Sequence, residues 1–231
     1  MKYREIVKGT FISRPNRFIA KVNINSKEET VHVKNTGRCK ELLVKDCTVY
    51  LSKSNNPQRK TMYDLVAVEK QRENKLPLLI NMDSQIPNDI AAEFLSMGNI
   101  FSDNAVLKRE VTFEKSRFDI YVRDGEKEAF VEVKGVTLEK DGVALFPDAP
   151  TERGIKHINE LIIAKQNGYR AIILFVVQMK EVNVFKPNAQ MHPEFAQALK
   201  NAKEKGVEIY TVDCIVTPDS IKIDAFIKTE V

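Results

Sequence analysis

The chain has 231 residues, of which 43% are hydrophobic and 29% are charged, as is typical of a soluble protein with one large domain or two small ones. It contains no apolar run of about 18 residues and no apolar segment near its N-terminus, so we expect neither a membrane helix nor secretion. Three cysteines without a CxxC pair and three scattered histidines favour free thiols over disulfides or a zinc site. We therefore expect a cytoplasmic protein with no membrane partner.

Charge is unevenly distributed along the chain. Residues 1–80 contain 17 Lys and Arg against 8 Asp and Glu, a net charge of +9, whereas residues 81–231 contain 19 against 24, a net charge of −5. A basic first third suits a polyanionic partner such as nucleic acid. A solvated, lysine-rich surface explains the same numbers, so charge alone leaves both interpretations open.

The first eighty residues show the pattern of short strands. Runs of β-branched and aromatic residues occur at 9–14, 17–25, 29–35, 47–53, 62–70 and 76–81, separated by turn residues. The segment GRCKELLV, residues 37–44, is the exception and is predicted to be a short helix. Five or six strands with one small helix predict a small barrel, for which the OB-fold is one candidate.

The sequence pattern changes after Asn81, from strands alone to helices and strands. Asn88 can cap a helix that runs to Gly98. The patterns then predict, in order, three strands, a helix that ends at Gly168, a buried strand, a second helix and a final strand. This order predicts an α/β domain with a mixed sheet over residues 83–231, after a barrel over residues 1–82.

One predicted hairpin, FDIYVRDGEKEAFVEVKG at residues 118–135, carries charge where apolar residues would be expected. Pairing about its Asp-Gly turn places Asp119 directly opposite Glu132, with Lys134 on the same face. Two carboxylates roughly 5 Å apart repel unless a cation lies between them, and Mg²⁺ prefers such oxygen ligands. An exposed hairpin face with ordinary charges is the alternative, which the repulsion between Arg117 and Lys134 weakly favours. The apolar run AFVEVKGV argues against that alternative, because a buried Glu132 without a role is costly.

The spacing D-x₁₂-E-V-K, formed by Asp119, Glu132 and Lys134, resembles the PD-(D/E)xK core of metal-dependent nucleases. Phe118 stands where that motif has proline. Longer stretches resemble the sugar fermentation stimulation protein family, SfsA, over essentially the whole chain: VHVKNTGRCKELL, KTMYDLVAVE, SRFDIYV, VEVKGVTL, FPDAPTERGIKHINEL and AIILFVVQ. The resemblance implies an N-terminal OB-fold, a C-terminal nuclease-like domain and a role in binding DNA.

The resemblance also implies a metal site. Asp119 and Glu132 would hold Mg²⁺ or Mn²⁺, with Lys134 as the motif lysine of the catalytic group. Glu93 matches an acidic residue that many of these nucleases carry on the preceding helix. A solvated helix face explains Glu93 equally well.

Nucleic-acid contacts are expected from two regions. On the downstream helix of the nuclease-like domain the candidates are Arg153, Lys156 and His157, and Gln178 either reaches the site edge or makes a structural hydrogen bond. In the barrel the candidate phosphate contacts are Arg14, Arg17, Lys34, Arg38 and Lys40.

Other barrel residues allow two interpretations each. Phe11 and Phe18 either stack on bases or belong to the core. The segment NTGR, residues 35–38, is either an anion site or a turn without a ligand.

Two functions compete. The first is a metal-dependent nuclease that cleaves DNA with Asp119, Glu132 and Lys134 as its catalytic residues. The second is a DNA-binding regulatory protein of sugar metabolism genes on the same scaffold, with no catalysis. A sugar-metabolising enzyme has only the family name in its favour, since the chain has neither a GxxxxGK loop nor a GxGxxG turn. Nothing on the surface pattern selects between a monomer and a homodimer.

Overall fold

The computed structural model describes residues 1–35, 37–56, 58–114 and 116–231. The chain forms two compact units. The first comprises residues 1–86, 178–181 and 214–222, and the second comprises residues 87–177, 182–213 and 223–231. The boundary expected after residue 82 lies near the end of the first segment, whereas no local pattern in the sequence predicts that two later segments belong to the first unit.

The first unit is a closed barrel. Its strands are β1 (Ile6–Asn16), β2 (Ile19–Ile24), β3 (Lys27–Val33), β4 (Thr48–Lys53), β5 (Tyr63–Lys70) and β6 (Leu78–Asn81). They form one sheet in the order β3-β2-β1-β4-β5-β6, and a parallel pairing of β3 with β5 closes the first five strands on themselves. The predicted OB-like barrel is confirmed.

Alternation of buried and exposed residues builds the barrel interior. On β3, Val31 and Val33 are buried and His32 between them is partly exposed, while Ala20 and Val22 are buried on β2. Successive side chains of a strand point to opposite faces, so the apolar set fills the barrel and the polar set faces outward.

The short helix predicted at residues 37–44 is wrong. The chain forms turns there, with Cys39 in the left-handed region at φ 45° and the amides of Leu42 and Leu43 both donating to the Cys39 carbonyl. Leu42 and Leu43 are buried, so their apolar character reflects packing and not helical periodicity.

The rest of the chain alternates helices and strands. The elements are α1 (Ile86–Ser96), β7 (Val106–Phe113), β8 (Ser116–Asp124), β9 (Lys127–Val136), β10 (Leu138–Lys140), β11 (Val143–Phe146), α2 (Glu152–Gln166), β12 (Arg170–Val177), β13 (Val184–Pro187), α3 (Pro193–Glu204), β14 (Glu208–Thr217), β15 (Ser220–Phe226) and β16 (Lys228–Thr229). A six-stranded sheet has the order β15-β14-β12-β9-β8-β7. It is mixed, because β12 runs parallel to β9 and β14 while β8 is antiparallel to β7 and β9. The predicted mixed-sheet α/β fold is confirmed.

A second, four-stranded sheet, β10-β11-β13-β16, was not predicted. Its strands are two to four residues long, too short for an alternation pattern to stand out. The predicted buried strand is confirmed in β12, where residues 171–177 are all buried between two parallel neighbours.

Helix α2 packs against the six-stranded sheet. It begins after Thr151, whose side-chain oxygen accepts a hydrogen bond from the Gly154 amide at 3.1 Å. The helix lies in the connection between β11 and β12 and packs against β12, β9 and α3. His157 and Ile158 are therefore buried, in the second turn of the helix.

No helix in the described part of the chain is both long enough and apolar enough to cross a membrane. Cys39, Cys47 and Cys214 are free thiols and all three are buried, as the sparse count suggested. Burial raises the pKa of the Cys47 thiol to about 11.

Candidate active site

The β8–β9 hairpin has the predicted register. Ladder pairs run from Asp124 with Lys127 at the turn to Ile120 with Val131. Gly125 adopts φ 63° in the turn, a conformation that glycine adopts without strain. Beyond Ile120 a side chain replaces the ladder, because Asp119 Oδ2 accepts a hydrogen bond from the Val133 amide at 2.8 Å. The hairpin thus brings Asp119 to the part of β9 that carries Glu132.

Glu132 is the most buried charged group of the site, with 2% of its surface exposed in the middle of β9. Its Oε1 accepts hydrogen bonds from His157 Nδ1 and Lys134 Nζ. Its Oε2 is buried and has no hydrogen-bond partner among the described residues. One oxygen of this carboxylate is therefore saturated by the protein, while the other is not.

The pKa values of the two carboxylates shift in opposite directions. Burial alone would raise the pKa of Glu132, but the hydrogen bonds from His157 and Lys134 outweigh it and hold that pKa below its usual range. Burial raises the pKa of Asp119, and the negative charge of Glu132 raises it further. The site therefore contains a carboxylate pair whose mutual repulsion a bound cation would relieve.

Asn88 on α1 is a site residue that the sequence did not reveal. Its side-chain amide nitrogen donates to Asp119 Oδ1 at 2.8 Å. We expected Asn88 to cap the helix, but α1 begins two residues earlier, at Ile86, so Asn88 lies in the first turn and its side chain is turned to the hairpin. The signal for this role would have been an amide in the first turn of the helix that precedes the motif strands.

The structure does not bring Glu93 to the carboxylate pair. Glu93 is exposed on α1, five positions after Asn88 and so about 140° further round the helix. Across the described residues, no three His, Cys, Asp or Glu side chains are grouped closely enough to hold a metal ion. The set that remains for a cation is Asp119 and Glu132, whose hard oxygens suit Mg²⁺, Mn²⁺ or Ca²⁺.

Helix α2 contributes its first turns to the site. His157 is buried, and its Nε2 accepts a long hydrogen bond from Arg153 Nε at 3.4 Å while its Nδ1 contacts Glu132. Both ring nitrogens are therefore engaged inside the protein, and sequence reasoning had assigned this ring to nucleic acid alone. Arg153 and Lys156 are exposed, and Lys156 lies 3.7 Å from Glu160.

Of the two roles predicted for Gln178, the structure shows the structural hydrogen bond. Its amide nitrogen donates to the Asn81 carbonyl at 3.1 Å, to Asn81 Oδ1 at 3.0 Å and to the Asp83 carbonyl at 3.1 Å. These three bonds account for its complete burial at the end of β12.

The cations predicted in the barrel fall into two groups: Arg14 and Lys34 have partners within the protein, and three others are exposed, namely Arg17, Arg38 and Lys40. Arg14 donates to the carbonyls of Asn35, Gly37 and Arg38 at 2.6–2.9 Å, and to that of Arg17 at 2.8 Å, so it shapes the loop after β3. Within the proposed NTGR anion site, Thr36 lies outside the described residues.

Lys34 also has a partner, Asp83, at 2.9 Å. By contrast, Arg17, Arg38 and Lys40 are exposed. The two predicted stacking residues differ as well: Phe11 is a core residue, whereas Phe18 is 53% exposed with the Arg17 guanidinium 5.8 Å from its ring centre.

Comparison with known families identifies both units. Residues 12–76 match the SfsA N-terminal OB domain, and residues 85–220 match the sugar fermentation stimulation protein RE domain. Sugar fermentation stimulation protein homologues from Clostridium beijerinckii and Ruminiclostridium cellulolyticum are each 52% identical, over 98% and 97% of both chains respectively. This chain belongs to the SfsA family. The fold agrees with that of Pyrococcus furiosus SfsA in complex with Ca²⁺, at a TM-score of 0.85 and 28% identity over 100% of this chain and 98% of that one.

Proposed function

We propose that this SfsA protein binds DNA and hydrolyses its phosphodiester bonds with a divalent metal held by Asp119 and Glu132. Hydrolysis adds a water oxygen to phosphorus and breaks one P–O bond, and the departing oxygen takes up a proton. A divalent metal supplies charge neutralisation for the phosphate and lowers the pKa of a water. The residues of the chain bind and orient the groups around that chemistry.

The observation that carries the proposal is Glu132 Oε2, which no donor in the described part of the chain reaches. A buried carboxylate oxygen without a donor is costly, since most buried polar atoms are hydrogen-bonded. A cation at Oε2 would compensate that cost without displacing His157 or Lys134 from Oε1. Asp119 retains acceptor capacity beside its two hydrogen bonds, because an ionised carboxylate has about four lone-pair sites.

The neighbouring residues suit phosphoryl chemistry. Lys134, with a side chain 19% exposed, places an ammonium beside the carboxylate pair, where negative charge on a phosphate would develop. Arg153 is exposed in the first turn of α2, within reach of a phosphate that approaches the helix start. The Ca²⁺ complex of the Pyrococcus furiosus relative supports binding of a hard divalent cation in this family.

The test is a cleavage assay with purified protein. Labelled single-stranded DNA, duplex DNA and RNA are incubated with Mg²⁺, Mn²⁺ or EDTA, beside Glu132→Ala and Lys134→Ala. We expect metal-dependent cleavage that both substitutions abolish. An exposed matched control, Glu128→Ala on the same strand, should cleave like the wild type. Absence of cleavage by the wild type under every metal condition would overturn the nuclease proposal.

A regulatory DNA-binding protein without catalysis is the second candidate. The observation in its favour is the basic first third of the chain, with Arg17, Arg38 and Lys40 exposed. It predicts DNA binding with a steep salt dependence, because each neutralised phosphate releases counterions. It also predicts that Glu132→Ala leaves binding intact and that no metal condition produces cleavage.

A further inference from the structure

A second carboxylate–histidine pair lies on the outside of the barrel. His32 occupies an outward position of β3, and its side chain is 35% exposed. Its Nδ1 lies 2.9 Å from Oδ1 of Asp64 on β5, the residue with which His32 pairs across the closure of the barrel.

Asp64 is itself held firmly. It is 8% exposed, and Arg59 donates to both of its oxygens, from NH1 to Oδ2 at 2.9 Å and from NH2 to Oδ1 at 2.6 Å. Burial alone would raise the pKa of Asp64, but the bonds from Arg59 and His32 outweigh it and keep that pKa below its usual value. An ionised carboxylate only accepts hydrogen bonds, so His32 Nδ1 carries a proton, and Nε2 is the ring nitrogen that Asp64 does not engage.

Nε2 of His32 has no hydrogen-bond partner anywhere in the described part of the chain. The ring is nevertheless fixed by a bidentate ion pair behind it, an arrangement that orients the ring and leaves its outer nitrogen for a ligand. A side-chain contact that merely closed the barrel would need neither an imidazole nor a second ring nitrogen.

The turn next to His32 carries an exposed aromatic ring and an exposed cation. His32 pairs with Ile19 across the β2–β3 ladder, and the Val33 amide donates to the Phe18 carbonyl at 2.8 Å, which places the Arg17–Phe18 turn next to His32. Phe18 presents an exposed ring and Arg17 an exposed cation. Bases of single strands stack on such rings while their phosphates contact the neighbouring cations.

The opposite end of the same hairpin has a different character. Lys27 at the turn lies 2.6 Å from Glu29, and Lys21 in the middle of β2 lies 3.3 Å from Glu28, so each cation has a carboxylate beside it. The end that carries Arg17, Phe18 and His32 therefore has the features of a polyanion site, and the turn end of the hairpin does not.

We propose that His32 Nε2, Arg17 and Phe18 form a binding site for single-stranded nucleic acid, with a phosphate at His32 and Arg17 and a base on Phe18. Asp64 and Arg59 are positioning residues, because they act through the His32 ring. The inference rests on the nucleic-acid part of the proposed function and is independent of cleavage.

The test is the affinity of the full chain for a fluorescent oligothymidylate in EDTA, so that no metal-dependent cleavage occurs. An asparagine places its amide where Nδ1 lies and keeps a donor toward Asp64, so His32→Asn removes the outward nitrogen alone. We expect His32→Asn to bind about tenfold more weakly, with a thermal unfolding midpoint close to that of the wild type. Phe18→Leu should weaken binding by a similar factor.

Lys21→Ala is the matched control, since Lys21 is an outward cation of the same hairpin with a local partner. It should bind within about twofold of the wild type. Wild-type affinity in a folded His32→Asn would overturn the inference, and so would binding of duplex DNA alone. If the wild type binds no nucleic acid of any form, both the inference and the proposed function fail, whereas normal Glu132-dependent cleavage by His32→Asn with unchanged affinity removes the inference alone.

Discussion

Each unit of this protein contains a buried carboxylate that contacts a histidine Nδ1 and a cation, yet the two groups differ in how completely they are satisfied. In the barrel, both oxygens of Asp64 accept from Arg59, and His32 adds a third bond. In the sheet, His157 and Lys134 both bond to Glu132 Oε1, and Oε2 receives no hydrogen bond from residues 1–35, 37–56, 58–114 or 116–231. A saturated carboxylate positions its neighbours, whereas an unsaturated one retains capacity for a cation. A carboxylate, an imidazole and a cation thus have different roles in the two units.

The largest expected difference between Glu132 and Asp64 is in their contribution to metal affinity. We expect Glu132→Gln to lower the affinity for Ca²⁺ by more than about 100-fold, because it removes the charge of the unsaturated carboxylate. Asp64→Asn should leave that affinity unchanged. Isothermal titration with Ca²⁺ measures both. Equal losses in the two variants would show that the difference in saturation has no functional meaning.

The second effect concerns stability. Asp64→Asn should lower the free energy of unfolding by about 2 kcal/mol at pH 7, because a buried carboxylate that holds Arg59 and His32 loses its charge. The pKa of Asp64 lies below its usual value of 3.8, so its stabilisation is complete above that value and disappears as the pH falls through the lower, folded-state pKa.

Urea denaturation of wild type and Asp64→Asn between pH 7 and pH 3 tests the pH dependence. The difference between them should be constant above about pH 5 and should shrink below it. Asp46→Asn, an exposed acid of the same unit, is the control and should show no comparable difference. A gap that widened at low pH would contradict the ion pairs described for Asp64.

A smaller effect is expected at Asn88. Removal of its amide by Asn88→Ala leaves Asp119 Oδ1 without that donor, and we expect Ca²⁺ affinity to fall by about tenfold with the fold intact. Asn88→Asp sharpens the test, since a third carboxylate increases repulsion without metal and attraction with it. Its thermal midpoint should therefore rise more on addition of Ca²⁺ than that of the wild type. An Asn88→Ala protein with wild-type Ca²⁺ affinity would remove Asn88 from the site.

The smallest effect is a change in salt dependence. Arg17→Ala should reduce the slope of log affinity against log salt by about 0.7 for single-stranded DNA, the value for one lost phosphate contact. Lys21→Ala should leave the slope unchanged. Fluorescence anisotropy at several salt concentrations measures the slopes, and identical slopes for wild type and Arg17→Ala would exclude a phosphate at this turn.

Much of the fold followed from local patterns. The register of the β8–β9 hairpin could be derived because the turn at Gly125 and the alternation around Ile120 and Val122 determine it together. Closure of the barrel agreed with the number and spacing of its strands. The segment around Leu42 was misassigned, since two adjacent buried leucines satisfy a helical pattern and a packed turn equally well.

The site was predictable only in part. Asp119, Glu132 and Lys134 belong to one hairpin, so local geometry relates them. His157 reaches Glu132 across 25 positions of the chain, and Arg59, Asp64 and His32 meet only when the barrel closes. The sequence indicates Glu93 as an acidic ligand or a solvated residue, and Asn88 only as a helix cap. Because α1 begins two residues before Asn88, the Asn88 side chain is available to bond Asp119.

The closure of the barrel also has a kinetic consequence. The described pairing between β3 and β5 consists of two residue pairs, His32 with Asp64 and Val33 with Leu65, and it joins positions about thirty residues apart. Such a contact forms late in folding, because the loop entropy must be overcome before the contact contributes. We expect the amides along this seam to exchange with deuterium faster than those of the six-pair β2–β3 ladder. A strand of nucleic acid bound at His32 would slow that exchange. Deuterium exchange at the β3–β5 amides would therefore measure how much of the protein has nucleic acid bound, without a label on the ligand.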